Sequence, residues 1–175
     1  MRRRKSPSRS RSSSHSAAPD RRRLRATMPT KARRTRKSAA SPPVLRKFRG
    51  GFRWDQVELE PYKLSARRGG DFRCASRQVL IGKRGERVRF HLRYFELDAR
   101  GYTSFERHLH SHVVIGVRGS GKVRVGRDEY QLRPMDTIYI GPDMPHQLRA
   151  TGTGKFGFFC VVDAKRDRPR SLAKP

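Results

Sequence analysis

An all-β fold, an antiparallel barrel or double-sheet sandwich, is predicted for residues 50–163, behind a disordered basic N-terminal tail. Three observations predict it. Short runs rich in Val, Ile, Phe and Tyr recur at close spacing, Gly, Pro and charged turns punctuate them, and no stretch sustains a helical period of 3.6. Without a candidate crossover helix, parallel strands have no connection available, and antiparallel pairing remains.

The folded part begins near "FRGGFRWDQVELEPYKL", where the composition turns from Arg and Ser to mixed aromatic sequence. "QVLIG" (78–82) and "RVRFHLRYFEL" (87–97) are the first two strands, joined by the turn "GKRGE" (82–86). "HVVIGVRG" (112–119), "KVRVG" (122–126) and "DEYQL" (128–132) follow, separated by "GSGK" and "GRDE", in which glycine supplies the hairpin conformation. "DTIYIG" (136–141) and "KFGFFCVV" (155–162) complete the set. On the last of these, Phe158 and Cys160 share one face, and Phe159 and Val161 the other. "GSGKVRVG" lies between two strands, so a hairpin explains it better than a phosphate-binding loop, which needs a helix behind it.

Charge divides the chain into segments. Residues 1–49 hold 18 Lys and Arg against the single acid Asp20, while the remaining residues hold 25 against 14, within a total of +28. The first segment is rich in Arg, Ser and Pro and has almost no large apolar residue, so it cannot bury enough surface to offset its ordering entropy. Residues 1–49 are expected as a disordered tail, 50–163 as a barrel and 164–175 as a short C-terminal tail. A polycation of this density contacts nucleic-acid phosphates non-specifically and loses affinity as salt rises, but no aromatic residue lies between its charges to stack on bases. A start at Met28 would shorten it. No apolar stretch reaches the length of a secretory signal or a membrane span, so a cytoplasmic protein without membrane contact is expected. Cys74 and Cys160 are too few for a disulfide framework.

The stretch "FERHLHSHVV" (105–114) carries four potential metal ligands at two-residue intervals: Glu106, His108, His110 and His112. In an extended strand, residues two apart share a face at about 6.7 Å, and residues four apart are separated by about 13 Å. An imidazole nitrogen approaches a metal to about 2 Å, which leaves its Cα about 6–7 Å from the ion. Glu106 and His108 can therefore share an ion on a straight strand, whereas His108 and His112 cannot. If His112 joins them, the chain must turn between 109 and 111, and that turn is expected to carry His110 away. His110 stands as the alternative ligand.

The same stretch and "GSGKVRVGRDEYQLRPMDTIYIGPDMPHQLRATG" behind it resemble the two consecutive motifs of the cupin superfamily, small jelly-roll barrels with a metal in the barrel's mouth. With Gly119 as the closing glycine of the first motif, the usual His-x-His pair falls on Glu106 and His108, the usual Glu on His112, and the second-motif histidine on His146. The resemblance covers roughly residues 76–163 and implies a single cupin jelly-roll barrel. Relative to the common pattern a Glu and a His have exchanged places, and Met135 stands where the second motif usually has Gly. The implied ligands are Glu106, His108, His112 and His146. Such a set suits one divalent transition metal, Fe, Mn, Ni, Zn or Cu. By the same resemblance Phe158 and Cys160 face inward near the metal, and Arg93 is the candidate inward cation to hold an anionic substrate or to order the ligand sphere.

Three functional readings follow. The first is a mononuclear metalloenzyme of oxidoreductase or dioxygenase type acting on a small molecule, with sugar isomerisation or epimerisation as its relative; no catalytic base is evident in the sequence. The second is a non-catalytic module that binds a small ligand or metal. The third is a nucleic-acid-associated protein led by the tail. A homodimer is expected from the exposed edge of a small barrel.

Overall fold

The computed structural model describes residues 42–63 and 71–173. Eleven strands form in chain order: β1 (Glu60–Pro61), β2 (Arg73–Ile81), β3 (Phe90–Tyr102), β4 (Glu106–Arg107), β5 (His112–Arg118), β6 (Gly121–Val125), β7 (Asp128–Leu132), β8 (Thr137–Ile140), β9 (His146–Ala150), β10 (Phe156–Asp163) and β11 (Arg170–Ser171). All pair antiparallel. No helix occurs among the described residues, so none there is long and apolar enough to cross a membrane.

The main path of the sheet runs β11-β4-β9-β3-β10-β5-β8; β2 adds to β3, and the β6–β7 hairpin joins through β6 to β9. The result is a nearly closed barrel, because β3 changes partners along its length. Its first half pairs with β10 through Phe90–Leu97, and its far end pairs with β9 at Tyr102 and Arg149. Between them the polar residues Asp98 and Arg100 leave the core, and Arg100 takes a left-handed φ of 60°. This bend lets one strand serve both sides of the barrel.

Alternation along the strands fills the interior. Val114 on β5, Phe95 and Leu97 on β3, Phe156, Phe158, Cys160 and Val162 on β10, and Leu148 on β9 form one buried cluster. Phe95 and Phe158 stack at 5.4 Å between ring centroids. The opposite face of β3 is also buried. There the segment before β1 brings Phe52 and Trp54 against Tyr94, and Trp54 against Phe159. Glu96 on that face accepts from the Tyr94 hydroxyl at 2.8 Å and pairs with Arg118 and Lys155. A buried carboxylate is tolerable there because these partners satisfy it.

Of the expected tail, residues 1–41 lie outside the described residues. Residues 42–49 are placed: Arg46 pairs with Glu86 at 3.0 Å, and Phe48 forms a bridge with Trp54. The segment after β10 is likewise part of the fold to residue 173. β11 runs along β4, with Arg170 opposite Arg107 and Ser171 opposite Glu106.

Candidate metal centre

Glu106 and His146 face each other across the β4–β9 pair, which fixes the first two candidate ligands by strand register. The chain then bends at residues 109 and 110 before β5 begins at His112. That bend brings His112 back, and its Nε2 lies 2.8 Å from the Nε2 of His108. The bend does not carry His110 away. The ring of His110 stacks on that of His108 at 3.6 Å and 4°.

Among the described residues, two groups of side chains could hold a metal ion: Glu106, His108 and His146, and His108, His110 and His112. They share His108, and within each group the ligand atoms lie within 4.8 Å of one another.

Hydrogen bonds prepare the imidazoles for coordination. The Nδ1 of His108 is 2.8 Å from the carbonyl of His110, and that of His146 is 2.8 Å from the carbonyl of Met144. A carbonyl only accepts, so both Nδ1 atoms carry protons and both Nε2 atoms present lone pairs. Burial and the neighbouring histidines hold His108 down at about 4, and burial likewise lowers His112 and His146. Neutral rings are the form that binds metals. The Nε2 contact between His108 and His112 has two resolutions. Either His112 donates from Nε2 while the Cys160 thiol, 3.1 Å from its Nδ1, donates to that nitrogen, or a cation takes both lone pairs. In the second case the two nitrogens are near enough for one divalent ion to be held by both. The donor set therefore fits a divalent transition metal.

The carboxylate of Glu106 is anchored by the ammonium of Lys63, which also donates to Ser104 Oγ at 3.0 Å; the Tyr62 hydroxyl lies 3.5 Å from Glu106 Oε1. Asp167, from the segment after β10, grips the bend. It accepts from the backbone N–H of Leu109 at 2.9 Å and of His110 at 3.2 Å, and pairs with His110 Nδ1 at 2.7 Å. Those N–H groups, Leu109 first, hold its carboxyl below the ordinary range. Tyr62, Lys63 and Asp167 were beyond sequence reasoning, since each lies in polar sequence remote from the histidine cluster.

These residues open on a cavity of about 240 Å³. Phe158 and Cys160 line it from β10, and Arg93 from β3, where it stands directly opposite Cys160. The Arg93 guanidinium lies over the Phe95 ring, 5.0 Å from its centroid, and its Nη2 donates to Cys160 Sγ at 3.4 Å. Burial raises the Cys160 thiol, leaving it protonated at neutral pH.

Comparison with known proteins agrees with this architecture. A family model described as a cupin domain matches residues 93–162. A 1-methylthio-D-xylulose 5-phosphate methylsulfurylase of Rhodospirillum rubrum is 38% identical over 125 residues, covering 71% of this chain and 78% of that protein. A cupin-2 domain of known structure from the same organism is 36% identical, covers 74% of this chain and 84% of its own, and superposes with a TM-score of 0.63. A cupin 2 conserved barrel domain protein from Rhodopseudomonas palustris is 38% identical, covers 74% and 87%, and gives a TM-score of 0.66. Met135 shows how a departure from the family motif is absorbed: the backbone keeps the left-handed turn usually given to Gly, with a φ of 75°. With a matching family model and relatives 36–38% identical over most of their length, the chain belongs to the cupin superfamily.

Proposed function

We propose that this chain is a metal-dependent enzyme acting on a small phosphorylated sugar derivative that carries a thioether, the substrate class named for its Rhodospirillum rubrum relative. The observation that carries the reading is the convergence of Glu106, His108, His112 and His146 on one cavity, in a barrel 38% identical to that enzyme. In this reading those four residues hold one divalent ion, Fe, Mn, Ni, Zn or Cu. When bound, the ion supplies Lewis-acid polarisation or redox chemistry.

The protein's own contribution follows from the contacts. Backbone carbonyls fix the Nδ1 protons of His108 and His146, so their Nε2 atoms are aimed without reorganisation. Lys63 offsets the charge of Glu106 and orients it. Phe95, Val114, Leu148 and Phe158 form an apolar wall that excludes water from the substrate's carbon frame. The Cys160 thiol and the Arg93 guanidinium stand beside His112 and the substrate space. Three imidazoles and a carboxylate suit redox metals as well as zinc, so the oxidoreductase class is carried forward, and oxygen uptake is its direct indicator.

The test is turnover. The full chain, loaded in turn with Fe(II), Mn(II), Ni(II), Zn(II) and Cu(II), is incubated with 1-methylthio-D-xylulose 5-phosphate with and without air. Substrate is followed by mass spectrometry and oxygen by electrode. Metal-dependent consumption that His108→Ala abolishes is expected; oxygen uptake in step with it marks a dioxygenase or oxidase. Binding of the compound without conversion by any metal form refutes the enzymatic reading and leaves a binding module.

A further inference from the structure

The cavity beside the candidate ligands has an uneven charge. Four cations line it, Lys63, Arg77, Arg93 and Arg166, and two are already matched: Lys63 by Glu106, and Arg77 by Glu60, to which it donates from Nε at 3.1 Å and Nη2 at 3.0 Å. Asp167, the other carboxylate in the wall, is occupied by His110 and two backbone N–H groups.

Arg93 and Arg166 differ. Among the described residues neither has a carboxylate partner. Arg93 donates to the Cys160 sulfur and lies over the Phe95 ring, and its Nε is buried without a hydrogen-bond acceptor. Arg166 donates from Nη1 to the Asp163 carbonyl at 2.5 Å, which leaves most of its fork unused. A buried donor with no acceptor is costly, and two guanidiniums beside one cavity repel each other until an anion joins them. Partial desolvation first, and then the neighbouring Arg93, make the Arg166 guanidinium less basic. Arg93 comes from β3, while Arg166 arrives from the segment just after β10, at the exposed side of the cavity.

We infer that Arg93 and Arg166 form an anion subsite that takes the phosphate monoester of the substrate, with the substrate's apolar body against Phe95 and Phe158. Two planar forks present several parallel N–H donors, the arrangement that suits the three terminal oxygens of a phosphate dianion better than a single carboxylate. This assignment rests on the proposed function. It adds to it the residues that recognise the phosphorylated end, and gives the C-terminal segment a part in substrate binding.

The experiment is calorimetric titration of the metal-loaded full chain with D-xylulose 5-phosphate, D-xylulose and inorganic phosphate, with metal stoichiometry measured on every sample. The parent is expected to prefer the phosphorylated sugar by at least about 10-fold, with inorganic phosphate competing. Arg93→Gln and Arg166→Gln each weaken D-xylulose 5-phosphate binding by about 10- to 100-fold, with metal content unchanged, and Arg93→Lys falls between. Arg73→Gln, an exposed position outside the cavity, leaves binding as it was. Parent-like binding in both glutamine variants, an equal loss in Arg73→Gln, or a parent indifferent to the phosphate overturns the subsite. The two readings fail separately. An active, metal-loaded enzyme with unaffected arginine variants sinks the subsite alone, and arginine-dependent phosphate binding without turnover sinks the enzymatic reading alone.

Discussion

Replacing Asp167 with alanine removes one carboxylate that three N–H groups share. The backbone N–H of Leu109 can be taken over by water, because Leu109 is 60% exposed. The His110 ring cannot, because it is buried against His108 and its Nδ1 loses a partner at 2.7 Å. Leaving one such group unmatched costs about 1–3 kcal/mol. The bend at 109–110 is what returns His112 to His108, so this cost falls on the ligand geometry as much as on the fold. Asp167 acts on the ligands only through this bend, so metal affinity is expected to drop by roughly 10-fold, the low end of the range for losing a ligand's own hydrogen-bond partner. Competition titration against a chromophoric chelator measures the affinity, and thermal unfolding of the metal-free protein measures the fold. Asp167→Asn keeps an acceptor oxygen without its charge and should fall between parent and alanine variant. Parent-like metal affinity and melting temperature in Asp167→Ala would refute the idea that the C-terminal segment holds the site together.

Two further perturbations examine the scaffold. Burial alone would raise the Glu86 carboxyl, but the N–H groups of Arg84 and Gly82 and the Arg46 guanidinium outweigh it and hold it down at about 2. A depressed carboxyl contributes stability above its ordinary pKa of 4.5 and loses it as the pH falls toward 2. Glu86→Gln should therefore destabilise the protein by about 2–3 kcal/mol at neutral pH, with the difference closing between pH 4.5 and 2 in urea titrations; a gap independent of pH contradicts this. Met135 holds a left-handed φ of 75° with its side chain 81% exposed, so Met135→Gly relieves strain and loses little packing. It should stabilise by about 0.5–1 kcal/mol in chemical denaturation, and destabilisation would show that the side chain packs after all.

The strands with a clear alternating or apolar pattern were legible in the sequence, and all seven expected runs correspond to β2, β3, β5, β6, β7, β8 and β10. β1, β4 and β11 span two residues each, too few for any period to show. β9, "HQLRA", was read as part of a motif and not as a strand, because polar residues interrupt its short sequence. β3 runs five residues past Leu97, through polar Asp98 and the left-handed bend at Arg100, where the strand crosses from β10 to β9. The histidines could be found because their spacing is unusual and strand geometry limits which of them can meet. His110 escaped that reasoning: the geometry demanded a turn but did not fix the direction in which the turn sends its side chain. Lys63, Arg166 and Asp167 carried no local signal, because a charged residue in a polar loop looks the same whether it points to solvent or to a site.

Every role proposed for this cavity depends on Glu106, His108, His112 and His146 holding a metal. The measurement that tests this most directly is metal content by mass spectrometry of the full chain beside a His108→Ala/His146→Ala double variant, with circular dichroism to verify the β-sheet signal of both. About one equivalent of Fe, Mn, Ni, Zn or Cu in the parent and none in a folded double variant is the result predicted. A folded parent that neither retains nor takes up any of these ions would show that these four residues are no metal centre.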